Sequence, residues 1–326
     1  MLKNIRVTPL AAESLGVRSM CTFVETPDVK VLLDAAASLG PSRWGLPPHP
    51  REYEALAECR ERISKVAEKA DVVTISHYHF DHHTPSFTDW FCNWSSAEIA
   101  EEIYEEKMVL AKNYRSEVNY SQRQRGWMFR RTAGKFAKTL EIADGRAFEF
   151  GDTKLRFSEP VFHGAKDTFL GWVLMATIDH GGERMMFTSD VEGPMYDPTL
   201  MLILGAAPDL LIVGGPPLYL AESKVDDADI RRGMESLEEL VKSVPTTILE
   251  HHILRDGEWR AACQGLFDTA SKASHSVFTA AEFLEQENNL LECHRRELSE
   301  TEPPDSDFKR WMNLPLSERR ETRPPI

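Results

Sequence analysis

Several features are missing from the sequence, and each absence excludes a class of protein. No run of about 18 apolar residues occurs, so the 326-residue chain is predicted to have no membrane-spanning helix. The first residues lack the apolar core of a signal peptide. The five cysteines are odd in number and form no Cys-x-x-Cys pair, which argues against a disulfide framework. They are typical of reduced core residues, and a cytoplasmic location is expected.

Positive charge is also scarce. The chain has 38 Lys and Arg against 52 Asp and Glu, which gives a formal net charge of −14. Such a field repels polyanions, so nucleic acid is not a favoured partner and a small-molecule or phosphoester substrate is expected. Common catalytic templates are missing too: the sequence has no Gly-x-Ser-x-Gly elbow, no Gly-x-x-x-x-Gly-Lys phosphate loop and no His-Glu-x-x-His helix.

What the sequence does have is a cluster of metal-binding residue types between residues 76 and 83. The cluster contains four of the eleven histidines and one aspartate: His77, His79, Asp81, His82 and His83. It follows the β-branched run at 71–75, which predicts a buried strand. Thr84 and Pro85 then predict the N-cap and the first residue of a helix. The cluster is therefore expected on a strand-to-helix loop.

The spacing of these side chains indicates a metal centre. Neutral imidazoles and carboxylates are the usual ligands of zinc and similar divalent ions. His77 and His79, two apart in an extended segment, can hold one ion, while Asp81 and His82 can face a second one. Two ions about 3.5–4 Å apart can hold a hydroxide between them that acts as a nucleophile. A solvated histidine-rich loop and a single structural metal are the alternatives.

The pattern His77-x-His79-x-Asp81-His82 resembles the signature of the metallo-β-lactamase superfamily of binuclear hydrolases. The chain is more similar still to one family of predicted metal-dependent hydrolases within that superfamily. Five stretches carry this closer resemblance: residues 13–20, 45–50, 77–85, 189–194 and 251–256. The superfamily pattern extends over about residues 4–260, and it implies a hydrolase without supplying a substrate.

The resemblance implies a ligand set for two divalent ions, of which zinc is favoured and manganese or iron are alternatives. A single carboxylate, Asp190, would bridge the two ions. Asp34 would hydrogen-bond a ligand imidazole. One ion would take His77, His79 and His163, and the other would take Asp81, His82 and His251.

The pair His251-His252 leaves one ligand role to assign. Alternation along an extended strand end lets only one of the two rings face the ions, and His251 is favoured. His252 and His83 would then support the ligands or transfer protons. Asp81 would take part in catalysis as well as in metal binding.

An αββα sandwich, in which two mixed sheets pack face to face with helices outside, is the architecture that the resemblance implies. The resemblance implies the metallo-β-lactamase fold, formed by residues 1–298 as a single domain. The apolar stripe of 51–70 predicts a helix that covers one sheet. Residues 84–140 are predicted to form a helical insertion beside the metal loop. Residues 299–326, rich in proline and charge, are predicted to form a flexible C-terminal tail.

Part of this insertion is positively charged, although the chain as a whole is negatively charged. Residues 113–140 carry seven Lys and Arg against one Glu. Guanidinium groups match phosphate oxygens, so Arg123 and Arg125 are predicted to bind an anionic part of the substrate. Hydrolysis of a phosphoester or phosphodiester is therefore the favoured function. Hydrolysis of an ester, thioester or lactone of a small metabolite, and a non-catalytic metal-binding scaffold, are the alternatives.

Overall fold

The computed structural model describes residues 2–221 and 225–326, and six of its strands form a first, mixed sheet. The strands of this sheet are neighbours in chain order: β1 (Arg6–Pro9), β2 (Thr22–Glu25), β3 (Lys30–Leu33), β4 (Val72–Ile75), β5 (Met108–Ala111) and β6 (Thr139–Ile142). The pairs from β1 to β3 are antiparallel, and those from β3 to β6 are parallel.

A second mixed sheet follows in the chain, together with a two-stranded ribbon. The strands are β7 (Ala147–Phe150), β8 (Thr153–Phe157), β9 (Val161–Phe162), β10 (Trp172–Val173), β11 (Ala176–His180), β12 (Glu183–Phe187), β13 (Leu210–Gly214), β14 (Thr246–Glu250) and β15 (Ser276–Phe278). β9 and β10 form the ribbon, and the others have the spatial order β15-β14-β13-β12-β11-β8-β7. The strands from β12 to β15 run parallel.

Helices connect and cover these strands. They are α1 (Pro50–Ala67), α2 (Ala97–Tyr104), α3 (Tyr120–Arg131), α4 (Asp197–Ala206), α5 (Asp227–Ser243), α6 (Trp259–Ala262), α7 (Gln264–Lys272), α8 (Ala280–Phe283), α9 (Arg295–Thr301), α10 (Ser306–Met312) and α11 (Leu316–Glu321). Among the described residues, no helix has the length and apolar content that crossing a membrane requires.

Alternating side chains of the second sheet face two separate hydrophobic cores. Leu210 and Ile212 of β13 belong to the core shared with the first sheet, whereas Leu211 and Val213 belong to the core under α4, α5 and α7. Successive side chains of a strand point to opposite faces, so the second sheet is buried on both sides. The predicted αββα sandwich is confirmed.

The segment 84–140 differs from the helical insertion that the sequence predicts. It contains the whole of β5 and the start of β6, which extend the first sheet. The predicted helix start at Thr84 and Pro85 is wrong, because the next helix begins at Ala97 with Ser96 as its N-cap. The Thr84 hydroxyl instead donates to the Ala35 carbonyl oxygen at 2.6 Å. The Thr84 hydroxyl therefore links two loops by a hydrogen bond and does not cap a helix.

The C-terminal segment also differs from prediction, because residues after 299 form helices that pack on the domain. Phe308 and Trp311 of α10 are buried. The Tyr53 ring of α1 lies 5.6 Å from Phe308 and 5.4 Å from Trp311, measured between ring centroids. The prolines that suggested a tail lie outside these short helices, many of the charges lie on them, and two aromatic anchors hold the segment in place.

Candidate metal centre

The carboxyl ends of the parallel strands bring distant parts of the chain together, as is usual for ligand sites of α/β sheets. Asp34 follows β3, Ser189 and Asp190 follow β12, and His251 follows β14. Asp34, Ser189 and His251 have positive φ values of 48°, 56° and 68°. A non-glycine residue in such a conformation costs on the order of 1–3 kcal/mol, and conformations of this kind gather at functional sites.

The first ligand group joins the loop after β4 to two later loops. His77, His79, His163 and Asp190 each offer one nitrogen or oxygen, and these atoms all lie within 4.8 Å of one another. His77 Nε2 is 3.0 Å from His79 Nδ1, and His163 Nε2 is 2.9 Å from Asp190 Oδ2. Ligand atoms bonded at about 2.0–2.2 Å to one ion lie roughly 3 Å apart. The spacing therefore suits a shared cation.

A second ligand group lies against the first. Asp81, His82 and His251 bring their ligand atoms within 4.8 Å of one another, and so do Asp190, His251 and His252. His251 Nε2 lies 3.4 Å from His82 Nε2 and 3.0 Å from Asp190 Oδ2. Asp190 thus contacts ligands of both groups, as a bridging carboxylate must.

The buried polar atoms at this centre fit divalent cations. Asp190 Oδ1 and both ring nitrogens of His163 are buried without a hydrogen-bond partner among the described residues. His163 Nε2 lies 2.9 Å from Asp190 Oδ2, a distance that also suits two ligands of one cation. Burial, helped by the neighbouring imidazoles, lowers the pKa of His77 well below its usual value. Its imidazole is therefore neutral, which is the form that binds metal.

Buried carboxylates behind the cluster hold two of the ligand imidazoles. His82 Nδ1 donates to Asp34 Oδ2 at 2.8 Å, so Asp34 occupies the orienting position that the sequence predicts. Asp34 also accepts from the backbone N–H of Ser76 at 2.8 Å. His251 Nδ1 lies 3.0 Å from Glu13 Oε2. Because these bonds use Nδ1, the Nε2 atom of each ring is left to bind a cation.

Glu13 is in turn fixed by Arg255, whose Nε donates to Glu13 Oε1 at 2.7 Å. Burial would raise the pKa of Glu13, but Arg255 and His251 lower it, so the carboxyl is ionised. Arg255 Nη2 lies 3.3 Å from His251 Nδ1, but it already donates to Glu13 Oε1. The shorter contact to a charged acceptor makes Glu13 the partner of His251 Nδ1.

His252 also faces the centre, which differs from the alternation expected of a strand end. The chain leaves β14 at Glu250 and continues as a 3-10 helix over His251–Arg255, so both rings reach Asp190. His252 Nδ1 lies 3.1 Å from Arg255 Nη1, and an arginine can only donate. Burial and Arg255 lower the pKa of His252 to about 3, so its ring is neutral. Its single proton is then on Nε2, 3.1 Å from Asp190 Oδ2.

The two rings of this pair consequently differ in what they can do. Burial would lower the pKa of His251, but Asp190 and Glu13 raise it well above its usual value, so without a cation Nε2 also carries a proton. A cation can replace that proton while Glu13 holds Nδ1, so His251 suits a metal ligand. His252 Nε2 presents the N–H of a neutral ring and suits a hydrogen-bond donor. The ligand assignment to His251 stays a prediction, now supported by the hydrogen bonds behind each ring.

Two other predicted site residues lie away from the ligand atoms. His83 Nδ1 is 2.9 Å from the His79 carbonyl oxygen, and its ring packs against Tyr78 and Phe129. It belongs to no metal-ligand group among the described residues, so the structure does not support a proton-transfer role. Arg123 Nη2 donates to the Arg115 carbonyl oxygen at 3.4 Å, on the outer side of α3. The structure does not bring Arg123 to the metal loop.

Arg125 is the arginine that α3 does place beside the metal loop. Its Nη1 donates to the Tyr78 carbonyl oxygen at 3.3 Å, and its guanidinium lies 4.5 Å from the centroid of the Phe80 ring. Burial lowers the pKa of Arg125, and the charge of Asp81 opposes that shift. Arg123 and Arg125 are two residues apart in a helix of about 3.6 residues per turn, so they face opposite sides.

Three residues of the site received no role from the sequence: Glu13, Glu192 and Arg255. Glu192 Oε1 lies 3.5 Å from His252 Nε2, and burial raises the pKa of this carboxyl to about 7. All three residues lie in the stretches 13–20, 189–194 and 251–256 that carry the family resemblance. The family resemblance of those stretches was the only sequence feature that could have indicated these residues, because an isolated charged residue forms no recognisable motif.

Replacing Glu13 with glutamine should weaken metal binding without changing any ligand. The amide is uncharged and holds the His251 tautomer less firmly, so we expect affinity for the second ion to fall by about 10–100-fold. Chelator competition on the folded variant, checked by circular dichroism, measures this. Unchanged affinity for both ions would show that Glu13 does not position His251.

Two mixed sheets packed face to face, outer helices and a histidine–aspartate centre at the strand ends define a protein of the metallo-β-lactamase fold. A diiron β-hydroxylase from Streptomyces venezuelae matches with a TM-score of 0.51, at 12% identity over 86% of this chain and 53% of that one. A metallo-β-lactamase fold protein from Bacillus subtilis matches with a TM-score of 0.49, at 14% identity over 85% of this chain and 96% of that one. At such identities the likeness concerns the fold alone.

Relatives by sequence define the family. A UPF0282 protein from Methanopyrus kandleri is 44% identical over 90% of this chain and 99% of its own length. Another from Thermococcus gammatolerans is 44% identical over 93% of this chain and 97% of its own length. No family model matches the sequence. The chain belongs to the UPF0282 family, which confirms the family membership that the motifs indicate.

Proposed function

We propose that the protein is a dinuclear metal-dependent hydrolase of phosphoesters or phosphodiesters. The observation that supports the proposal is the pair of ligand groups that meet at Asp190, whose Oδ1 is buried and without a partner among the described residues. When bound, two divalent ions supply a nucleophile at neutral pH by lowering the pKa of the water that they share, and they stabilise the attacking and leaving oxygens. The imidazole-rich ligand set favours zinc, with manganese and iron as alternatives.

The remaining roles, metal binding and stabilisation of the leaving group, fall to different residues of the protein. His77, His79 and His163 would hold one ion, and Asp81, His82 and His251 the other, with Asp190 between them. His252 Nε2 carries a proton beside Asp190 and can donate a hydrogen bond to the leaving oxygen as negative charge develops there. No lone pair of this ring is directed at the cluster, which keeps it free for that step.

The neighbourhood of the metal loop favours an anionic substrate. A cavity of about 170 Å³ lies between this loop and α3, and its lining includes Phe80, Phe87, Phe129 and Arg125. Within the described part of the chain, Arg125 forms no ion pair, so its fork is available for phosphate oxygens. The aromatic side chains would exclude water around the organic part of the ester. This combination suits a phosphoester better than a neutral lactone or thioester.

A substrate screen tests the proposal. Purified protein loaded with zinc or manganese is assayed on bis-p-nitrophenyl phosphate, a lactone and a thioester, with Asp190→Ala as the blank. We expect hydrolysis of the phosphodiester and none above the blank for the other two. Turnover of the lactone or thioester alone would replace the phosphoester proposal, and inactivity on all three with an intact metal centre would favour a non-catalytic scaffold.

Replacing Arg125 with glutamine should weaken the binding of an anionic substrate. Loss of one charge-assisted contact is expected to raise KM for bis-p-nitrophenyl phosphate by about tenfold at unchanged metal content. Arg123→Gln is the matched control, because it removes the same charge from the opposite face of the same helix. An equal rise of KM in both variants would show a general charge effect and not a contact of Arg125.

A further inference from the structure

The outer face of α3 forms a cleft that the metal centre does not use. This cleft has a volume of about 370 Å³, within the size range of small-molecule sites. Two of its rings are open to solvent, since Tyr120 is 77% exposed and Trp127 is 49% exposed. The lining is aromatic and basic: Tyr114, Arg115, Tyr120, Arg123, Gln124 and Trp127.

The arginines of this cleft have no acidic partner. Arg115 Nε donates to the Tyr114 hydroxyl at 2.8 Å, and Arg123 Nη2 donates to the Arg115 carbonyl oxygen at 3.4 Å. Over residues 2–221 and 225–326, no ion pair involves either guanidinium. The chain as a whole has a net charge of −14, so unpaired cations here are a local exception. Their remaining N–H groups are free to bind an external anion.

Large aromatic rings exposed beside unpaired arginines indicate the chemistry of a ligand. A flat heteroaromatic group can stack on Tyr120 or Trp127, because both rings are exposed. The Arg131 guanidinium lies 4.9 Å from the centroid of the Trp127 ring, so a base would stack on the opposite face of that ring. Guanidinium forks match the oxygens of a phosphate. Acidic peptides would satisfy the arginines but leave both rings without a stacking partner. A nucleotide has the base and the phosphate within one molecule of suitable size.

We propose that this outer cleft binds one nucleotide unit, with the base on the Trp127 and Tyr120 rings and the phosphate on Arg115 and Arg123. The inference goes beyond the proposed function, because the cleft lies on the face of α3 opposite Arg125 and is a second ligand site. Binding at the cleft is local and does not require the overall field of the protein to attract polyanions.

Hydrogen bonds connect α3, the helix that carries most of the cleft, to a loop that holds a candidate metal ligand. Asn119, the N-cap of α3, donates from Nδ2 to the Phe169 carbonyl oxygen at 2.8 Å. Gln122 Nε2 donates to the Leu170 carbonyl oxygen at 2.7 Å. Both acceptors lie in the loop that begins at the metal-ligand candidate His163. The helix therefore carries the cleft on one face and is tied to the catalytic loops on the other.

Calorimetric titration of the metal-loaded protein with adenosine 5′-monophosphate tests the proposal. We expect saturable binding that is much tighter than that of adenosine or ribose 5-phosphate, because both parts of the ligand are held. Trp127→Ala should weaken binding by about 5- to 100-fold, and Arg123→Gln should weaken it by about fivefold. Arg130→Gln is the control, because it removes an exposed charge of α3 that does not line the cleft.

Three results would overturn the inference. Affinity for ribose 5-phosphate equal to that for the nucleotide would mean that phosphate alone binds. Unchanged affinity in Trp127→Ala and Arg123→Gln would place the ligand elsewhere, including at the metals. An equal loss in Arg130→Gln would reveal general charge attraction. Hydrolysis of bis-p-nitrophenyl phosphate, measured on the same samples, separates the two proposals: its absence counts against the proposed function, whereas lost nucleotide binding alone counts against the cleft.

Discussion

Replacing Asp190 with alanine is expected to remove hydrolysis and to empty both halves of the metal centre. Its Oδ2 lies 2.9 Å from His163 Nε2, 3.0 Å from His251 Nε2 and 3.1 Å from His252 Nε2. Without this carboxylate the two ligand groups lose their common member and a negative charge that offsets the cations. We expect turnover to fall by at least about 10³-fold. Elemental analysis and an assay on bis-p-nitrophenyl phosphate measure both effects.

A conservative variant, Asp190→Asn, controls for the loss of side-chain volume in Asp190→Ala. Asp190→Asn keeps the size of the side chain but is neutral, so it should resemble Asp190→Ala in metal content while packing like the parent protein. Thermal unfolding of the two variants separates a lost fold from a lost centre. If Asp190→Ala retains both ions, Asp190 does not bridge them.

The adjacent histidines provide a second large effect in which one member controls for the other. His251→Ala should lose the ion held with Asp81 and His82, because it removes the ring whose Nε2 faces the cluster while Nδ1 is held by Glu13. His252→Ala should keep both ions but reduce turnover by about 100-fold, as expected when a hydrogen-bond donor to the developing charge is lost. Metal content and turnover are measured on both variants and the parent protein.

The two variants also test the assignment of protons. The loss in His252→Ala should be confined to turnover, and a substrate with a good leaving group should hide part of it, since the negative charge on such a group needs little stabilisation. Reversal of the metal contents, with His252→Ala losing an ion and His251→Ala keeping both, would transfer the ligand role to His252.

Much of the centre could be predicted because its ligands follow strands that are easy to recognise. The loop after β4 holds four of the candidate ligands within six residues, from His77 to His82, so their proximity needs no tertiary information. Asp190 and His251 each follow a buried parallel strand, and such strands end at one edge of a sheet. The αββα sandwich was predictable because the same motifs carry the family resemblance that implies it, whereas periodicity alone missed β5 within residues 84–140.

Other features depend on long-range packing that no local pattern encodes. Glu13 lies 238 positions from His251, and its role follows only from their contact. The orientation of His252 depends on a 3-10 turn that replaces the expected strand end. Arg123 and Arg125 looked equivalent in the sequence, but α3 turns them to opposite sides. The order of the C-terminal segment depends on Phe308 and Trp311, two aromatic residues in an otherwise polar stretch.

The metal content of the tag-free protein tests the central claim most directly. Elemental analysis after reconstitution with zinc, manganese or iron should find about two divalent ions per chain, since the two ligand groups meeting at Asp190 can each hold one. The parent protein and Asp190→Ala are measured side by side, so that non-specific metal is subtracted. No more than a trace of metal in the reconstituted parent protein, or a content equal to that of Asp190→Ala, would contradict the account.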